Sequence, residues 1–161
     1  MEKDNNLDVR VPMIKIIDIS NRKNAEDLLN VQIPSYKVEA EIIGSYEIPP
    51  LKDTVYTLQH CDETFFGYYE NKQLCGAISI KVIDDEVDIH RLIVHPNHFR
   101  KGIAQLLLNF IGNKFRLETI KVSTGSKNAP AVSFYNKNGF QNIKEVMVNK
   151  QLSIILFEKK L

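Results

Sequence analysis

At 161 residues the chain is long enough to bury one core and short for two, so a single domain over residues 1–161 is expected. Lys and Arg number 21 against 20 Asp and Glu, a formal charge of +1 that offers no overall field to nucleic acid or an anionic membrane; any anion site must be local. The start, MEKDNNLDVR, lacks the apolar centre of a signal peptide and no later run has membrane-span length, which predicts a cytoplasmic protein without nucleic-acid or membrane partners. Cys61 and Cys75 match no metal or redox spacing and read as reduced thiols without a function.

In chain order, residues 1–12 read as a flexible tail, followed by a short strand at Met13 to Ile17. Helical composition runs from Asn24 to Ile43, with Pro34 inside it predicted to break or kink the helix. EIPPLKDTV is a loop feeding a short helix that ends near His60. Thr64–Tyr69 and Leu74–Ile83 pair as antiparallel strands across a turn, and Asp84-Asp85 makes the next turn.

The following strand, EVDIHRLIVHP, changes phase: Val87 and Ile89 alternate with Asp88 and His90, Arg91 then stands where an apolar residue is due, and Leu92 and Val94 take the opposite phase. A one-residue slip is what a β-bulge produces; a strand buried on both faces after Arg91 gives the same pattern. From Gly102, Ile103, Leu106, Leu107, Phe110 and Ile111 keep the spacing of a helix burying one stripe. Glu118 to Ser123 is a strand. Asn128 to Lys137 is a helix entered through Asn128 and Pro130 and stopped at Asn138-Gly139. Phe140–Val148 and Leu152–Glu158 close the chain as an antiparallel pair. The last strand leaves neither face polar, so it is either central in the sheet or covered by a second subunit of a homodimer.

The chemistry concentrates at HPNHFRKGIAQLLL. A strand end, a glycine and a helix start point several unpartnered N–H groups at one spot, with Arg100 and Lys101 adding charge; such a place suits an anion. Neither G-x-x-x-x-G-K-S/T nor G-x-G-x-x-G is present.

VHPNHFRKGIAQLLL resembles the acetyl-CoA signature of the GNAT superfamily of N-acyltransferases: a strand ending V-x-P, then Gln or Arg, two residues, Gly, one residue, and Gly or Ala. Gly102 and Ala104 match the last two positions, Phe99 replaces the Gln or Arg, and Arg100 stands where glycine is common. NAPAVSFYNKNGF is similar to the family's later motif, with Asn128 and Tyr135 seven apart on one helix face. The likeness covers about Val87 to Phe140 well and the first sixty residues poorly.

The resemblance implies an α/β (α+β) fold: a mixed, mostly antiparallel sheet of about seven strands flanked by helices, with a bulged and splayed central strand. It implies acetyl-CoA as co-substrate, lying along Leu92, Ile93 and Val94, on the turn Phe99, Arg100, Lys101, Gly102, Ile103 and Ala104, and against Asn128, Phe134, Tyr135 and Lys137. No metal cofactor is implied.

The implied activity is N-acetyl transfer to a primary amine of a small molecule or peptide by direct attack on the thioester. A lysine-like amine has a pKa near ~10.4, so the site must help remove a proton. His90 and Asp88 are the side-chain candidates, His90 preferred because histidine titrates near neutrality, with water the other option. A backbone N–H near Ile93 or Val94 would hold the oxyanion, and Tyr135 would protonate the leaving thiolate. Tyr36, Glu39 and Glu41 belong to the acceptor side, and Tyr46, Glu47 and Phe65-Phe66 fall in the same half. Two other readings compete: an acyl-CoA-binding regulatory module without transfer, and His90, His95 and His98 as metal ligands, a spacing poorly suited to one ion.

Overall fold

The computed structural model describes residues 13–161; the tail expected over residues 1–12 lies outside them. Seven strands form one sheet in the order β1-β2-β3-β4-β5-β7-β6: β1 Met13–Ile17, β2 Thr64–Glu70, β3 Gln73–Ile83, β4 Glu86–Val94, β5 Thr119–Gly125, β6 Gln141–Met147 and β7 Ser153–Lys160. Every neighbouring pair is antiparallel except β4 and β5, which run parallel around the intervening helix α3, Ile103–Lys114. The remaining helices are α1 Arg22–Ile43, α2 Val55–Gln59 and α4 Ala129–Lys137, with short 3-10 turns at Pro49–Lys52 and Pro96–His98.

Alternation along the strands feeds two cores. On one face Phe66, Ile78, Ile80, Val87 and Ile89 meet Ile103, Leu107, Leu108 and Ile111 of α3. On the other, Phe65, Ala77 and Ile93 meet Leu28 and Val31 of α1. The α3 stripe therefore differs from the one expected: Leu108 is buried, whereas Leu106 is exposed and Phe110 lies at the edge, because the face toward the sheet is centred one residue further along. Phe65 and Phe66 likewise belong to the two cores rather than to an acceptor pocket, since adjacent strand residues point to opposite faces.

Pro34 does not break α1. The helix is a single element, capped at Asn21, whose side chain accepts from the Asn24 N–H, and ended by Gly44 in a left-handed conformation. A mid-helix proline costs about 3 kcal/mol, and burial of Leu28 and Val31 before it and of Ala40 and Ile43 after it, at about 1.5–3 kcal/mol for a large apolar side chain, outweighs that. The apolar last strand is central: β7 lies between β5 and β6, and β6 forms the exposed edge.

β4 is bulged where its pattern slips. Ile80 pairs with Ile89 and Ser79 with Arg91, leaving His90 as the extra residue. Pairing with β5 stops at Ile89–Val122, although β4 continues to Val94 and β5 to Gly125, so the two strands part just beyond the bulge.

Candidate active site

The gap between β4 and β5 opens into a cavity of about 870 Å³. Its walls come from Leu92 and Val94 on β4, Val122 to Gly125 on β5, the start of α3, the inner face of α4, and Ser35, Tyr36, Glu39 and Ile42 of α1. The α1 residues recur at helical spacing, which brings one stripe of that helix over the gap. His95 donates its N–H to Cys75 O on the β3 side at 2.8 Å. Strand alternation then turns the Ile93 N–H toward β3 as well and leaves those of Leu92 and Val94 facing the gap.

At the far end of β4 lies the glycine turn. Arg100 has φ of 65° and Gly102 φ of 78°, both left-handed, and a Cβ on Gly102 would meet nothing within 4 Å. The glycine thus answers a backbone requirement and leaves open space beside the chain. Asn21, Thr54 and Asn128 each cap their helix by accepting a backbone N–H; α3 begins at Gly102 without a side-chain cap. Its first internal bond is Leu106 N–H to Gly102 O, so the N–H groups of Ile103, Ala104 and Gln105 start the helix unpartnered, and these residues line the cavity. Phe99 and Arg100 line it too. Lys101 does not: its Nζ stands 2.9 Å from His98 Nδ1 and 3.4 Å from Glu70 Oε1.

On α4, Asn128 caps the helix through Ala131 and still lines the cavity, as do Phe134 and Tyr135. The Tyr135 ring is buried against Phe134, Phe140 and Phe157. Burial, with the nearby Glu39 charge, raises its hydroxyl pKa well above the ordinary tyrosine value. Tyr36 is raised in the same way by burial and then by Glu39. Burial also raises the Glu39 carboxyl, while the Asn128 amide beside it opposes the shift.

His90 lines the cavity with both ring nitrogens facing carboxylates: Nδ1 is 3.5 Å from Glu63 Oε2, and Nε2 is 3.5 Å from Asp88 Oδ2. Asp88 itself points outward and is half-exposed. Next to it, Arg91 pairs with Glu63 and, at 3.0 Å, with Asp53 Oδ2, which also accepts from Gln32 Nε2 at 2.7 Å. Ser79 Oγ donates to Glu63 at 2.7 Å. This nearly buried network pins the bulge, and Arg91, Glu63, Asp53 and Gln32 were not expected at the site. Only Arg91 carried a signal, as the residue that interrupts the alternation.

Several expected residues lie elsewhere. The Ile93 side chain is in the α1 core, so that residue reaches the gap side only through its neighbours. Lys137 is in the last turn of α4, outside the cavity. Glu41 is exposed and accepts from Tyr46 Oη at 3.3 Å, and Glu47 pairs with Lys52 at 3.0 Å. His90, His95 and His98 do not converge: His95 Nδ1 accepts from the Asn97 N–H, and His98 turns toward Glu70 and Cys75.

A family model described as an acetyltransferase (GNAT) domain matches residues 61–142, just over half of the chain. The chain belongs to the GNAT acetyltransferase family. Its parted strands, glycine turn and α4 all fall inside that match. The chain is 40% identical over 146 residues to the UPF0157 protein YqkA of Bacillus subtilis (strain 168), covering 90% of this chain and 43% of that one. It is 29% identical over 94 residues to a spermidine N(1)-acetyltransferase of Thermoplasma acidophilum, covering 56% of this chain and 58% of the other. The chain thus spans less than two thirds of the length of either relative. Among solved structures, the fold is similar to that of the PaiA N-acetyltransferase from Thermoplasma acidophilum in complex with coenzyme A, at a TM-score of 0.66 and 24% identity, covering 94% of this chain and 99% of that one. No described helix of this GNAT chain is long and apolar enough to cross a membrane.

Proposed function

We propose that the chain transfers an acetyl group from acetyl-CoA to a primary amine of a small molecule or peptide. One observation carries the reading: the gap where β4 leaves β5 and the uncapped start of α3 open into the same cavity. Coenzyme A has a diphosphate, which suits the Ile103–Gln105 N–H groups and the Arg100 guanidinium, and an extended amide-bearing arm, which suits the unpaired edge of β4. The left-handed Arg100 backbone supports this, since a non-glycine residue held there costs of order 1 kcal/mol and such strain gathers at ligand clamps. Asn128 and Phe134 stand where the arm would continue toward Tyr135.

With the thioester in the gap, the Val94 or Leu92 N–H is placed to stabilise the oxyanion as the amine attacks. Tyr135, kept neutral by burial, can protonate the departing thiolate; a thiol with a pKa of about 8.5 leaves readily, so this assists the reaction without deciding it. The attacking amine must be neutral, and two titratable side chains of the cavity wall, His90 and Glu39, are placed to take its proton. Tyr36 and Glu39 favour an acceptor that arrives as a cation, in keeping with the relative named as a spermidine acetyltransferase.

Calorimetry with acetyl-CoA, followed by release of free coenzyme A in the presence of n-butylamine or 1,4-diaminobutane, tests the reading. Binding with amine-dependent release is the expected result. Binding without release from any amine would favour a regulatory module, and no binding would end the proposal.

A further inference from the structure

Resting on that reading, we propose that Glu39 of α1, rather than His90 of the bulge, takes the proton from the acceptor amine. A base must direct a free lone pair at the reacting nitrogen. Both ring nitrogens of His90 are turned to carboxylates instead, Nδ1 to Glu63 and Nε2 to Asp88, each at 3.5 Å, so neither is aimed at a nitrogen in the gap. These contacts tie the ring to the network that pins the bulge. Glu39 is the opposite case. It is the sole carboxylate on the cavity wall, and among the described residues no Lys, Arg or His pairs with it.

The surroundings of Glu39 are those of a base set beside an acid. Tyr36 from its own helix and Tyr135 from α4 both feel its charge, and the Asn128 amide lies beside it. Along the same wall stand His90 and Arg91 from β4 and His98 and Arg100 from the turn; Arg91 is already neutralised by Glu63 and Asp53. Half-burial holds the Glu39 carboxyl above its ordinary value, which strengthens it as a proton acceptor. The step balances as follows. The ammonium gives one proton to Glu39, which passes it to solvent, and the neutral nitrogen bonds to the thioester carbonyl carbon. The C–S bond breaks, the thiolate takes the Tyr135 hydroxyl proton, and the second proton lost from nitrogen passes through Glu39 to the Tyr135 phenolate, restoring both groups.

The test compares Glu39→Gln with His90→Asn in the full chain, with acetyl-CoA and 1,4-diaminobutane as probes. Glu39→Gln is expected to lower kcat/KM about 100-fold or more near pH 7, with acetyl-CoA affinity held within about threefold. The deficit should shrink as pH approaches the amine's own pKa, where solvent delivers neutral amine. His90→Asn should lose less than Glu39→Gln at every pH. The reverse ranking, or an undiminished Glu39→Gln enzyme, overturns the assignment to Glu39 while leaving the transferase reading intact. A wild-type protein that binds no acetyl-CoA or transfers to no amine overturns both. Independently of turnover, carbon-13 NMR of the Glu39 carboxyl, identified by its loss in Glu39→Gln, should give a titration midpoint above the usual value of about 4.3; a midpoint at or below that value sinks the proposal.

Discussion

The two ends of the cavity are built from different materials. At the α3 end the chemistry is main-chain: N–H groups at an uncapped helix start, a left-handed glycine and a strand edge freed from its neighbour. At the α1 end it is side-chain: Glu39, Tyr36 and the Arg91 network, drawn from elements far apart in sequence. A main-chain site depends on local conformation and leaves a contiguous pattern in the sequence. A side-chain site depends on which distant elements the fold brings together, and leaves almost none.

The sharpest way to break the comparison is at the main-chain end. Gly102→Glu should abolish acetyl-CoA binding, more than 100-fold by calorimetry, because it places a carboxylate where the diphosphate would lie and forces a side chain onto φ of 78°. Gly102→Ala separates the two causes: its Cβ meets nothing within 4 Å, so it carries only a conformational strain of about 1–2 kcal/mol and should still bind. Equal loss in both variants would mean that backbone shape alone, not anion binding, governs that end.

The side-chain end should fail as structure first. Arg91→Met strands the Glu63 and Asp53 carboxylates without their cation, and removing one partner of a nearly buried ion pair costs about 3–5 kcal/mol. Denaturant unfolding of the variant measures this; a loss below about 1 kcal/mol would show that the network does not pin the bulge.

The same contrast explains what could be read beforehand. The bulge leaves a local trace, because a one-residue insertion flips side-chain phase and His90 to Leu92 carry that flip in their own order, although a strand buried on both faces leaves the same trace and only the pairing with β3 separates the two. The α4 helix was visible because Asn128, Pro130 and Gly139 punctuate it locally. The partners of Arg91 were not: Glu63 lies 28 residues away and Asp53 lies 38, and no local periodicity links them. Pro34 misled because its cost is local while the burial that overrides it is tertiary. Phe65-Phe66 misled because a pair of aromatics suggests a pocket until alternation assigns one ring to each core.

Between the two ends stands Tyr135, and its substitution measures how far they cooperate. Tyr135→Phe keeps the ring packed against Phe140 and Phe157, so acetyl-CoA affinity should hold while kcat falls about tenfold, the modest figure reflecting a good leaving group. Steady-state kinetics with parallel binding measurements decide it. Unchanged turnover would remove Tyr135 from the acid role.

The smallest effect concerns stability at the side-chain end, and its sign can be worked out. Burial raises the Glu39 carboxyl above its unfolded value, so its contribution to stability is fully present below the unfolded pKa and is lost as pH rises through the folded one. At neutral pH the folded protein therefore holds a partly desolvated charge that a glutamine would not. Glu39→Gln should raise Tm at pH 7 by a few degrees at most, about 2–4 °C for each kcal/mol, and the gain should fade toward pH 4, where the native carboxyl carries its proton. Thermal melts of both proteins across that range measure the difference. A Glu39→Gln protein that melts lower at pH 7 than at pH 4 relative to the wild type would mean that a cation pairs with Glu39 in the folded chain, and the α1 end of the cavity would then be a closed ion pair instead of a surface waiting for an amine.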